Sequence, residues 1–155
     1  MPQSLLVRDL SIFLVVQIAM IFFSHAEAYQ EGKEGWKWNP KWWRIRLPAG
    51  YWYTAYHIFI FFITLPLLVF GIPLILVGWD THLFLILLVS YLVGTTLEDF
   101  TWFLVNRDYP FSKWNPKDTR WYPWVALGRL SLPLSYVIKI TIATLLSAYI
   151  FLIYY

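Results

Sequence analysis

The stretch from residue 83 to residue 103, LFLILLVSYLVGTTLEDFTWF, decides the fold. Nothing between Leu83 and Leu97 is charged, and then Glu98 and Asp99 stand side by side before the apolar character has ended. A run of this kind is a membrane-crossing helix, for which about 20 mainly apolar residues suffice. Carboxylates inside such a helix are costly enough to mark a site by default.

The chain around this stretch has the same character. It is 59% hydrophobic, 21% aromatic and only 14% charged, against about 25% charged in an ordinary soluble domain. Stretches free of Asp, Glu, Lys and Arg run from Leu10 to Ala26, Leu47 to Trp79, Thr81 to Leu97 and Ile140 to Tyr155. They predict one transmembrane domain over residues 1–155, an all-α four-helix bundle with spans at about 6–28, 51–78, 82–105 and 132–154. A membrane β-barrel is excluded because strict alternation is absent. The first 28 residues also fit a signal peptide, with Arg8 ahead of an apolar core and Ala26-Glu27-Ala28 as a cleavage pattern. They are read here as the first spanning helix.

The basic residues orient the bundle. Five of the twelve Lys and Arg lie between Lys33 and Arg46, and five between Arg107 and Arg129. The positive-inside rule then puts both long loops in the cytoplasm and both termini outside. Arg8 is the dissenting charge, offset by Asp9.

The two loops share a phrase, Lys37-Trp38-Asn39-Pro40-Lys41 and Lys113-Trp114-Asn115-Pro116-Lys117. Asn followed by Pro is a helix start signal, and Pro48 and Pro123 would stop each helix about two turns later. Short interfacial helices are therefore expected in both loops, and the chain reads as two parallel helix-loop-helix repeats. Eight of the ten tryptophans lie in or beside these loops, an aromatic belt at the headgroup level. Trp38, Lys41, Trp42, Trp43, Arg44, Trp114, Lys117, Arg120 and Trp121 are the candidate lipid-binding residues. Anionic headgroups are a simpler partner for them than nucleic acid, because the loops lie between spanning helices.

The candidate site is a layer of ionisable residues. His25 and Glu27 close the first helix, His57 lies about two turns into the second, Glu98 and Asp99 about two turns before the third ends, and Lys139 about two turns into the fourth. At 1.5 Å per residue all six fall about 5–12 Å below one interface. On the third helix Ser90, Gly94, Glu98 and Thr101 share one stripe of small or polar residues facing the bundle, and Asp99 lies 100° round with Thr95 and Trp102. His57, Thr64 and Gly71 repeat every seven residues, which predicts a seam on the second helix. His25 and Glu27 are 200° apart, so both face inward only if the helix unwinds between them. Pro66, Gly71 and Pro73 loosen the second helix. His82, beside Asp80, is read as interfacial on the opposite face.

Three chemistries fit the layer. The leading reading is a metal site: His25, His57, Glu98 and Asp99, with Glu27, offer imidazole and carboxylate ligands for a divalent zinc, iron or manganese ion. The acids could instead serve a proton- or ion-coupled pathway. The layer could also be structural glue within an accessory subunit of a larger membrane complex or a homo-oligomer. Lys139 is expected to pair with Glu98 or Asp99, and its ammonium argues against a neighbouring cation. No cysteine is present, and neither a phosphate-binding glycine loop, an H-E-x-x-H zinc motif nor a G-x-S-x-G nucleophile elbow occurs.

Overall fold

The computed structural model describes residues 4–32, 43–46, 52–128 and 130–155. Four helices carry the chain: α1 (Leu5–Glu31), α2 (Ala55–Val77), α3 (Thr81–Val105) and α4 (Leu134–Tyr154). Each is long and apolar enough to cross a membrane. An antiparallel strand pair precedes α2, β1 (Arg44–Arg46) with β2 (Trp52–Thr54), and another precedes α4, β3 (Trp124–Leu127) with β4 (Leu130–Pro133).

The helix ends are set locally. The Ser4 hydroxyl accepts from Val7 N at the start of α1, and Asp80 Oδ1 accepts from Leu83 N at 2.8 Å at the start of α3. Gly32 closes α1 at φ 53, a backbone conformation that glycine adopts without a Cβ penalty. Its carbonyl accepts from Asn106 Nδ2 at 2.8 Å, which ties the end of α1 to the end of α3. Asn106 Oδ1 in turn accepts from Asp108 N and Tyr109 N and turns the chain out of α3.

The helix α3 is the hub, packing along α1 on one side and α4 on the other. Gly94 permits the close approach of α1, since a Cβ there would stand 2.9 Å from Met20 Cγ. Below it, Val89, Ala143 and Ile150 form the α3–α4 core. At the loop end, Trp102, Phe103, Tyr109 and Tyr122 form an aromatic core, with Ala28, Trp114, Trp121 and Trp124 against it.

Two expectations change. The seam on α2 does not form: Thr64 is exposed, and α2 buries no residue beyond Ala55 at its start. The backbone is π-wound over Ile58–Thr64 and Leu67–Gly71, with Leu65 N donating to Ile60 O and Ile72 N to Leu67 O. This wider winding straddles Pro66 and destroys the phase that a seven-residue repeat needs. The interfacial helix expected at Asn115-Pro116 is also replaced. Asn115 Oδ1 does cap, accepting from Lys117 N and Asp118 N. The turn stops at Thr119, whose carbonyl is taken by Trp124 Nε1 at 2.8 Å and whose hydroxyl bonds Lys113 O at 2.6 Å. The chain then enters β3. In the first loop Arg44 lies in a strand, and Asn39, Pro40 and Pro48 lie outside the described residues.

Candidate functional site

Two polar clusters sit at opposite ends of the α1–α3 interface. The loop-end cluster begins with Glu27 on α1 and Glu98 on α3, which are 9% and 2% exposed. Glu27 lies one turn before the end of α1, and Glu98 lies two turns before Asn106 closes α3, so the tie between Asn106 and Gly32 brings them level. Their side chains meet within hydrogen-bonding reach. Glu27 Oε1 and Glu98 Oε1 are fully enclosed without a donor among the described residues.

Asp99 engages the second loop and α4. It accepts from Tyr122 OH at 2.6 Å, and Tyr136 of α4 places its hydroxyl against the same carboxyl without a well-aligned bond. Lys139 lies close enough for its charge to act on both Asp99 and Glu98. It makes no direct ion pair; such contacts among the described residues are Arg8–Asp9 and His82–Asp9. Ser90, Gly94, Glu98 and Thr101 are all buried.

The histidines do not join this cluster. His25 is exposed, on the opposite side of α1 from Ser24 and Glu27. The ring of His57 is engaged in capping α2: its Nδ1 lies 3.2 Å from Thr54 N and 2.8 Å from Thr54 Oγ1. Tyr53, Tyr56 and Phe61 surround it. Among the described residues no three His, Asp or Glu side chains stand together as a group that could hold a metal ion. The expected set of His25, His57, Glu98, Asp99 and Glu27 is therefore split, because the caps and helix phases send the imidazoles elsewhere.

The loop residues occupy two kinds of position. Trp114 and Trp121 are half-buried against the aromatic core, whereas Lys117 and Arg120 are exposed. Trp43 and Arg44 are exposed. Trp38, Lys41 and Trp42 lie outside the described residues.

The second cluster was not read from the sequence as a site. Asp9, 4% exposed, has its Oδ1 at 3.1 Å from Arg8 Nε and its Oδ2 at 2.9 Å from His82 Nε2. The His82 contact is close but is not a well-aligned hydrogen bond. Arg8 Nη2 approaches His82 Nδ1 at 3.4 Å. The Tyr155 hydroxyl donates to Asp9 Oδ2, and Tyr154 stacks on the His82 ring at 4.2 Å. Desolvation and the bonded Asp9 carboxylate push the Tyr155 phenol up to about 12. His82 is thus buried. The available signal was the pairing of Arg8-Asp9 at one end of α1 with His82 at one end of α3.

No protein-family model matches the chain, and no curated protein or solved structure matches it either.

Proposed function

We propose that this chain is a small integral membrane protein whose Glu27–Glu98 pair binds and releases a proton, serving a proton-coupled step within the bilayer. The observation that carries the reading is the meeting of two acceptor-only carboxylates in a buried interface. A carboxylate has no proton to donate, so the contact becomes a hydrogen bond only when one proton lies between the two groups. Two bare anions facing each other in so dry an interface would repel strongly. Asp99, bonded to Tyr122 and near Lys139, is the fixed partner that tunes the pair through space. The reading is supported by the absence of imidazoles from the cluster and by the nearby Lys139 ammonium, both unfavourable to a divalent metal.

The test is acid–base titration of the purified protein in detergent. Between neutral and alkaline pH, the wild type should release one more proton per chain than Glu98→Gln. Equal release would sink the reading. Elemental analysis of the same samples provides the rival outcome: stoichiometric zinc, iron or manganese, lost in Glu98→Ala and His57→Ala, would replace the proton by a metal ion.

The architecture is read as two parallel units. Each is a helix, a basic loop ending in a strand pair, and a second helix, which is the observation that favours duplication. By the positive-inside rule both loops face the cytoplasm. There the exposed Lys117 and Arg120, and the loop residues Trp43 and Arg44, meet anionic headgroups.

A further inference from the structure

The helix α1 is inverted relative to a soluble helix. Its buried residues are Asp9, Gln17, Met20, Ser24 and Glu27, four of them polar, while Leu10, Leu14, Val15, Ile18 and Phe22 are exposed. Facing this stripe on α3 are His82, Ser90, Gly94 and Glu98, all buried. Asp9 and Glu27 are separated by about 27 Å at 1.5 Å per residue, close to the about 30 Å of bilayer hydrocarbon. The stripe therefore carries polar groups from one end of a membrane span to the other.

The groups along it are incompletely bonded. Gln17 Nε2 donates to Ser90 O at 3.0 Å, but Gln17 Oε1 has no donor, and Ser24 Oγ has no partner although it is fully buried. Glu27 Oε1 and Glu98 Oε1 complete a run of unpartnered oxygens on one interface. A helix that only needed to pack would place apolar residues here, or Ser24 would bond the preceding turn as Ser90 does to Ile86 O. Unmade hydrogen bonds in a dry interface are destabilising, so their concentration in one stripe points to a use.

We infer that the α1–α3 interface is a proton route across the membrane, entered at Asp9–His82 and ending at Glu27–Glu98. This rests on the proton-binding reading of the Glu27–Glu98 pair. A proton taken up by Asp9 or His82 passes along Gln17 and Ser24, with water admitted to the intervening turns, and reaches the carboxyl pair. That pair releases one proton to the loop side. Nothing is oxidised or reduced, and the transferred charge needs a compensating ion flow. Met20, fully buried and seated on Gly94, is the barrier. Around the entry the titratable and charged groups are Arg8 and Asp9 on α1, Asp80 capping α3, His82 on α3, and Tyr154 and Tyr155 at the end of α4; around the exit they are Glu31 on α1, Asp99 on α3, Tyr122, and Tyr136 and Lys139 on α4.

The experiment uses the full chain in liposomes that enclose a pH-sensitive dye, with valinomycin and a potassium gradient to drive protons inward. The wild type should acidify the lumen faster than protein-free liposomes. Asp9→Asn and Glu98→Gln should each fall to the protein-free rate, and Met20→Ser should be faster than wild type. Monodisperse gel filtration establishes that each variant is folded. A variant that fails to fold leaves the Met20→Ser comparison to decide. No acidification by wild type, full activity in a folded Asp9→Asn, or an unchanged rate in Met20→Ser overturns the route. If the titration shows the Glu98-dependent proton while the liposomes show no flux, the route fails and the proton pair stands. If the titration fails as well, both fall.

Discussion

Gly94 gives the sharpest structural prediction. Alanine at this position would put a Cβ 2.9 Å from Met20 Cγ, 3.4 Å from Val16 Cγ1 and 3.5 Å from Gln17 Oε1. The first distance is shorter than real Cβ contacts, so α1 must shift or Met20 must leave its rotamer. Overpacking of this size costs about 1–3 kcal/mol. Replacing glycine by alanine inside a helix returns about 1 kcal/mol. The net loss expected for Gly94→Ala is therefore about 1 kcal/mol, with Gly94→Val losing more. The cycle with Met20→Ala isolates the cause. Once the Met20 Cγ is gone the clash has no partner, and Gly94→Ala should become neutral or stabilising. The assay is reversible unfolding in mixed micelles, read by tryptophan fluorescence, for wild type, both single variants and the double. A coupling of about 1–3 kcal/mol follows from removing the overpacking term. Effects that add within about 0.5 kcal/mol, as for independent sites, would refute the close α1–α3 contact.

Other perturbations read different parts of the two clusters. Tyr122→Phe removes the 2.6 Å donor to Asp99, and by leaving a buried carboxyl short of a partner it should destabilise by about 1–3 kcal/mol in chemical denaturation; an unchanged midpoint would argue against that bond. Lys139→Met should lower thermal stability by less than the about 3–5 kcal/mol of a broken direct pair, because Lys139 acts on Asp99 and Glu98 without contact; an unchanged melting curve would contradict any coupling. The Tyr155 phenol is pushed from its ordinary 10.0 up to about 12. The folded state therefore holds this proton more tightly, its contribution is complete below about 10, and it is lost as pH rises towards about 12. Tyr155→Phe should remove that decline from a stability–pH profile, and a decline that survives the substitution would have another source.

The four long apolar helices were legible because each contains a long charge-free run, as a helix able to cross a membrane must. The stripe of Ser90, Gly94, Glu98 and Thr101 was legible because small and polar residues recur at helical spacing. Three features were not. The winding of α2 depends on where the N–H groups around Pro66 find acceptors, which periodicity does not record. The turn at Asn115 carries a correct cap signal, but its continuation is decided by Trp124 reaching the Thr119 carbonyl from five residues away. The Asp9–His82 cluster escaped because the two residues lie 73 positions apart, and each, taken alone, looks like an ordinary charge at a membrane surface. His25 and His57 show the converse: a residue at the right depth contributes nothing if its helix phase or its cap points it elsewhere.

The central claim is that one proton lies between Glu27 and Glu98, and infrared difference spectroscopy tests it most directly. At neutral pH the wild type should show the carbonyl stretch of a protonated carboxylic acid that shifts on exchange into heavy water. That band should be lost in the Glu27→Gln/Glu98→Gln double variant and should shift in each single variant, which leaves one buried carboxyl without its partner. A wild-type spectrum without a protonated-acid band, or a band that persists unchanged in both single variants, would contradict the account.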